Sequence, residues 1–306
     1  MVKEITEILK QIEKVEMWSI NLVKISISKR NGIKYNVEEL SDFDDNGISR
    51  TVEEIIKIYT EGEKSYKYNS IEKYDSNIVS DVIYEMDITD ELIRDAYNLL
   101  IKALSNPDKE SDPTKNKYDC YVLKSSIEKN GEDIPIKLVF MTNPMKTLKN
   151  KFIKIREKYT EITDKVIGLS LYVDMIAWND KIYFFNDSGE KLFNMERAYK
   201  TICQEKIEEI RDTEIISDIE AFMSVASFGH NSRKFISFNK ENLELLKDNK
   251  MRNSISAKFN IPLTNGKFDT SNDEVSEKLI KLLCGKGKID PFNNKPVEVA
   301  GSKEWK

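Results

Sequence analysis

The chain has 306 residues, of which 40% are hydrophobic and 33% are charged, and its formal net charge is −5. This share of apolar residues is enough for a buried core and excludes a wholly disordered chain. No window holds the run of about 18 apolar residues that a membrane span needs, so no transmembrane helix is expected.

The first part of the chain alternates helical and strand patterns. Apolar residues at helical spacing predict a helix over residues 4–17. Alternating apolar and polar residues then predict a strand over 18–28. Thr51, with Glu54 three positions later, is typical of a capped helix start, and Thr89 also precedes an apolar helical pattern.

The middle of the chain has the alternation and the turn residues of a β-sheet. The polar stretch 106–117 contains two prolines and predicts a loop. Asn130-Gly131 separates two strand-like runs and predicts a hairpin, and Asn179-Asp180 predicts a second one. Between these hairpins, the basic segment 146–158 is expected to be partly helical.

Helical patterns dominate the last part of the chain. Asn239 is placed to cap a short helix that ends at Leu246. A longer helix is expected from Ser271 to Cys284, and Gly285 is placed to end it.

These elements together predict an α+β fold. We expect a domain over residues 1–211, with a mixed or antiparallel sheet, flanking helices and a subdivision near 106–117. A smaller, mainly helical domain is expected over 212–306.

The cysteines and the single histidine give no sign of a disulfide framework or a metal site. The three cysteines are about 80 residues apart and form no CxxC pair, and His230 lies in a polar, turn-like setting. We expect no cofactor, no metal and a reducing, cytoplasmic location.

Charge is distributed unevenly along the chain. Residues 1–110 have a balance of −8 and residues 231–306 a balance of +5, and segment 146–158 has five Lys and one Arg against the single acid Glu157. Such asymmetry is typical of a chain that contacts a polyanion with one region. A solvated lysine-rich surface is the alternative, and the acidic isoelectric point near 5.4 favours that alternative.

The sequence contains no GxGxxG or GxxxxGK(S/T) nucleotide loop, no HExxH motif of zinc peptidases and no GxSxG motif of esterases. A metal-dependent nuclease is the enzymatic alternative that remains open. An acid, one residue and a lysine occur in order at Asp248-Asn249-Lys250 and at Glu304-Trp305-Lys306, but neither has an apolar strand flank. The acidic patch Asp42, Asp44 and Asp45 lacks calcium-loop spacing and is interpreted as a solvated turn. No catalytic residue is assigned, and the sequence favours a non-catalytic chain.

Two stretches of the chain resemble a known family. The first comprises Gly168–Trp178, Lys181–Asn186 and Leu192–Glu196, and the second comprises Arg233–Phe238, Lys278–Cys284 and Pro296–Val299. With the chain length and the order of elements, these stretches resemble the KwaB family of the Kiwa anti-phage system over about residues 15–300.

The resemblance implies a DNA-binding effector of a two-component bacterial defence. It implies a membrane-protein partner like KwaA, which would hold this chain at the inner membrane without a span of its own. It also implies self-association, here expected as a homodimer. An adaptor that binds a partner protein through the acidic N-terminal half is a third alternative.

If the chain binds DNA, its basic residues should contact phosphates without reading the base sequence. Asn231, Ser232 and Asn253 can add neutral phosphate contacts. The predicted DNA-binding residues are Lys146, Lys149, Lys151, Lys154, Arg156, Lys158, Arg233, Lys234, Lys250, Arg252 and Lys258.

Overall fold

The structure, a computed structural model, confirms the predicted α+β class. It describes residues 2–28, 32–40, 45–61, 67–70, 82–109, 117–129, 131–147, 152–155, 158–161, 165–290, 292–293 and 295–298. The chain passes from a first compact unit to a second one between Asn194 and Met195.

The first unit contains three α-helices, a 3-10 helix (Asp187–Phe193) and thirteen strands among its described residues. The α-helices are α1 (Val2–Ile12), α2 (Asp45–Thr60) and α3 (Arg94–Ser105). The strands are β1 (Ser19–Ser28), β2 (Gly32–Leu40), β3 (Lys67–Ser70), β4 (Val82–Asp87), β5 (Asp108–Lys109), β6 (Cys120–Lys129), β7 (Glu132–Phe140), β8 (Met145–Thr147), β9 (Phe152–Ile155), β10 (Lys158–Glu161), β11 (Lys165–Ile167), β12 (Met175–Trp178) and β13 (Lys181–Phe184).

Nine of these strands form one sheet in the order β3-β4-β13-β12-β7-β6-β1-β2-β5. The seven from β4 to β2 are antiparallel to their neighbours, and β5 is parallel to β2. Alternate strand residues such as Ile20, Leu123 and Leu138 share one apolar cluster with Ile8 of α1 and Ile55 of α2. The two helices therefore cover one face of the sheet with their apolar sides.

Both predicted hairpins are confirmed. Lys129 pairs with Glu132 across Asn130-Gly131, and Gly131 has a φ of 81°. Trp178 pairs with Lys181 across the second turn, where Asn179 has a φ of 56°. Glycine and asparagine tolerate this left-handed backbone, which two-residue hairpin turns need.

The two threonines do not cap helices, so these predictions are wrong. Helix α2 begins at Asp45, and Thr51 lies inside it, where its hydroxyl donates to the Gly47 carbonyl at 3.0 Å. Thr89 donates its hydroxyl to Asp87 in a turn that precedes α3. The spacing of apolar residues identified both helices, but it placed the start of α2 too late and the start of α3 too early.

The basic segment was expected to be partly helical, and its described part is β-structure instead. Strand β8 pairs with β11, and β9 pairs with β10, both antiparallel. These short strands form two-stranded ribbons in the connection between β7 and β12. We call residues 145–167 the ribbon arm.

The second unit is largely helical in its described residues. Its elements are α4 (Met195–Arg211), α5 (Ile219–Ala226), α6 (Gly229–Lys234), α7 (Lys240–Lys247), α8 (Asn249–Phe259), β14 (Leu263–Thr264), β15 (Lys267–Phe268), α9 (Asp273–Leu283), β16 (Gly287–Ile289) and β17 (Pro296–Glu298). Phe222, Phe235, Phe268 and Leu279 lie in its apolar core.

Two predicted helix ends in this unit are confirmed. The Asn239 side chain accepts hydrogen bonds from the backbone of Glu241 at 2.8 Å and of Asn242 at 3.3 Å, and so caps α7. Gly285 follows the end of α9 with a φ of 69°.

Candidate nucleic-acid interface

A sharp corner joins α7 to α8 and exposes the second helix. Asp248 ends α7 and caps α8, because its carboxylate accepts from the backbone N–H of Lys250 at 3.2 Å and of Met251 at 3.3 Å. One residue thus serves both helices, and this leaves no room for a loop.

The Arg252 side chain donates hydrogen bonds across this corner. Its Nε donates to the Gly266 carbonyl, and one terminal nitrogen donates to the carbonyls of Leu246 and Lys247, all at 2.8 Å. The last carbonyls of α7 lack helical partners and carry partial negative charge, so a guanidinium stabilises them. The predicted phosphate ligand Arg252 therefore directs its Nε and one terminal nitrogen at backbone oxygens.

Helix α8 presents an acid-free face to solvent. It contains no fully buried residue, and only Ile255 and Phe259 pack against the core of the unit. The exposed side chains follow helical spacing and form what we call the α8 face: Asn249, Lys250, Asn253, Ala257 and Lys258. Among the described residues, neither of its lysines forms an ion pair, so both ammonium groups are available to an anion.

Eight other described cations of this unit are paired with acids. Such surface pairs contribute little to stability, but each cancels the local charge that a phosphate would meet. The paired cations are Lys200, Lys206, Arg211, Lys240, Lys247, Lys267, Lys278 and Lys281.

Two predicted DNA-binding residues on α6 are turned inwards. Lys234 is 8% exposed, and its ammonium donates to the Asn231 side chain at 3.0 Å. Burial, with nearby Lys281, lowers the pKa of Lys234. The Arg233 guanidinium lies 5.8 Å from the ring centre of Tyr199 and is half-buried.

The three residues predicted to make neutral phosphate contacts also divide into buried and exposed ones. Asn231 and Ser232 are buried, and their side chains bond to the carbonyls of Val225 and Gly229. Asn253 is exposed on the α8 face.

The predicted basic run of the first unit lies on the ribbon arm. Lys146 in β8 and Lys158 in β10 are exposed, and Lys154 lies in β9 opposite Tyr159. Lys149, Lys151 and Arg156 lie outside the described residues. The structure thus describes exposed lysines in both units, on the ribbon arm and on the α8 face, and we call these two sets the basic surfaces.

Of the acids named from the sequence for a metal site, Asp248 and Asp45 lie at helix starts, and the others lie outside the described residues. The Asp248 carboxylate caps α8, and within the described part of the chain no three His, Cys, Asp or Glu side chains are grouped to hold a metal. His230 is exposed near the start of α6. Asp45 opens α2, whereas Asp42, Asp44 and residues 304–306 lie outside the described residues.

The α8 face was only partly predicted. Lys250, Asn253 and Lys258 were named from the sequence, whereas Asn249 and Ala257 were missed. The signal for the whole face was the absence of any acid from residue 249 to residue 260. The spacing of residues in the sequence did not predict that the Arg252 side chain points away from the α8 face.

One comparison with known proteins identifies the family of this chain. A family model described as Kiwa protein KwaB-like matches residues 115–286, which is more than half of the chain. The chain belongs to the KwaB family and is thus a component of Kiwa anti-phage defence. No curated protein and no solved structure matches it. Of the helices that the structure describes, none is long and apolar enough to cross a bilayer.

Proposed function

We propose that this KwaB-family chain is the DNA-binding effector of a Kiwa system and that it holds DNA through phosphate contacts. The observation that carries the proposal is the α8 face, where Lys250 and Lys258 are exposed without an acid on the same helix. Neither of these two described lysines forms an ion pair, whereas eight other cations of this unit are paired with acids.

The spacing of the two lysines suits a phosphate backbone. Lys250 and Lys258 are eight residues apart, so their backbones are about 12 Å apart along the helix axis. Two flexible side chains at this separation can reach two different phosphates. Asn253, exposed between them, can donate a further hydrogen bond. These contacts carry no base-specific readout.

The ribbon arm is the second proposed contact. Lys146 and Lys158 are exposed on it, and the sequence adds Lys149, Lys151, Lys154 and Arg156 to the same segment. Two basic surfaces on one chain increase the number of phosphates neutralised and steepen the salt dependence.

The test compares two double variants that lower the net charge equally. Lys250→Gln with Lys258→Gln removes the two available cations, whereas Lys200→Gln with Lys278→Gln removes two cations that are paired with acids. DNA affinity is measured by fluorescence anisotropy over a salt series. The first variant should bind about ten- to a hundredfold more weakly at low salt, with a log–log salt slope reduced by about 1.8. The second should bind like the wild type.

Equal affinities and slopes in the two double variants would reject the α8 face as a DNA contact. No binding of DNA by the wild type at about 50 mM salt would reject the proposed function itself. Changing Lys149, Lys151 and Lys154 together to Glu tests the ribbon arm in the same assay, and unaltered binding would exclude the arm.

Family membership also supports two proposals about partners. We propose that the chain acts with a KwaA-like membrane protein, which holds it at the inner membrane, and that it forms a homodimer. Co-purification with that protein from membranes, and sedimentation of the isolated chain, test the two proposals separately.

A further inference from the structure

Strand β6 extends beyond the strand that covers one of its edges. Strand β1 pairs only with residues Cys120–Lys124, whereas β7 pairs with β6 as far as Lys129. Along residues 125–129, no described strand lies on the β1 side. We call this the open edge of β6.

The hairpin turn determines which backbone groups face the open edge. A two-residue turn makes Lys129 and Glu132 a hydrogen-bonded pair, and the pairs alternate from there. Ser126 and Glu128 therefore direct their N–H and C=O groups away from β7. Pro135 opposite Ser126 agrees with this pattern, because proline has no N–H to contribute to the ladder.

A groove of about 1040 Å³ runs beside the open edge. Its apolar side chains include Val15 and Ile127, and Met17 is 72% exposed. The Ser125 hydroxyl donates to the Met17 carbonyl at 2.6 Å and fixes the groove wall to the strand. A chain lying in the groove would meet both the apolar side chains and the backbone groups of the edge.

Charges around the groove balance. Two lysines and two glutamates line it, and they are Lys14, Lys124, Glu16 and Glu128. This lining has no net charge to attract a polyanion, so the groove differs from the basic surfaces described above. An uncharged occupant fits it best.

We propose that the open edge of β6 binds an uncharged, extended segment of a partner protein by strand addition. The segment would pair with the N–H and C=O groups of Ser126 and Glu128 and place apolar side chains from alternate residues against Met17 and Ile127. This interaction goes beyond DNA binding and is independent of it, since it uses neither basic surface.

The test uses the full chain and a capped hexapeptide of alternating Ser and Val as the probe. Amide hydrogen exchange is followed by NMR. At about ten times its Kd, the peptide should slow the exchange of the Ser126 and Glu128 amides about tenfold. The amides of Ser125 and Ile127, which face β7, should change little.

Two matched proline variants locate the site. Ser126→Pro removes a donor from the open edge, whereas Asp133→Pro removes an N–H from the opposite edge of the same hairpin, where β12 pairs only with Ile136–Val139. Protection of Glu128 should disappear in the first and persist in the second. If the first does not fold, Met17→Asp, an exposed position, should weaken peptide binding about tenfold.

Two results would overturn the proposal. One is unchanged exchange of both amides at millimolar peptide. The other is protection of the Ser126 and Glu128 amides without peptide that disappears on dilution together with a sedimenting dimer, since a second copy would then cover the edge.

Discussion

Arg252 should stabilise the α7–α8 corner and contribute little to DNA binding. Its guanidinium makes three hydrogen bonds of 2.8 Å to backbone carbonyls of two different segments. A hydrogen bond to a charged group contributes about 1.5–3 kcal/mol, but these carbonyls are partly exposed and regain water when the donor is removed. We therefore expect Arg252→Ala to lower the free energy of unfolding by about 2 kcal/mol.

Arg252→Lys separates the fixed geometry from the charge. A lysine keeps the positive charge but has no planar fork to bridge the carbonyls of Leu246 and Gly266 at once, so about 1 kcal/mol should still be lost. The measurement is urea unfolding followed by circular dichroism at 222 nm. Lys258→Ala is the control on the same helix, because Lys258 is exposed and should change stability by less than about 0.5 kcal/mol.

Measuring DNA affinity distinguishes a structural role of Arg252 from a direct contact of its guanidinium with phosphate. At a temperature where each variant is folded, Arg252→Lys should keep the wild-type affinity and salt slope. The reasoning is refuted if Arg252→Ala unfolds like the wild type and yet loses as much DNA affinity as the α8-face variant, because the guanidinium would then contact phosphate.

Three further predictions concern stability and reactivity. Asn239→Ala removes the cap of α7 and should cost about 1 kcal/mol in urea unfolding, whereas Asn239→Asp should keep most of that energy. Burial, with nearby Lys281, lowers the pKa of Lys234, so the unfolded chain holds more protons just below the ordinary lysine pKa of about 10.4. The free energy of unfolding should therefore rise with pH in that window relative to Lys234→Met, and parallel pH curves would contradict the buried ammonium. Burial raises the pKa of Cys203 to about 12, and all three thiols should react with iodoacetamide at pH 8 only after unfolding: Cys120, Cys203 and Cys284.

Local signals in the sequence were sufficient where the backbone itself imposes the structure. Asn130-Gly131 identified a hairpin because few residues tolerate the turn between β6 and β7. Asn239 and Gly285 identified helix ends because a cap depends on residues only a few positions away. The α+β class followed from these elements.

Tertiary contacts decided the features that the sequence left open. The basic segment has residues compatible with a helix, yet strand pairing across the arm overrides this preference. Lys234 and Lys250 are the same residue type in similarly polar segments, and only the packed helices turn one inwards and leave the other exposed. The open edge of β6 depends on where β1 begins, at Ser19 opposite Lys124, and the sequence of β6 alone does not indicate that position.

The ribbon arm leaves and re-enters the sheet at neighbouring strands. Strands β7 and β12 pair directly, with Val139 opposite Met175, and Asp174 accepts from the Met141 backbone at 2.6 Å. The two ends of the excursion are thus held together without the arm, so closing a longer or shorter one costs little entropy. The arm can therefore change in length and in charge, and with it the proposed contact with DNA, while the pairing of β7 with β12 is kept.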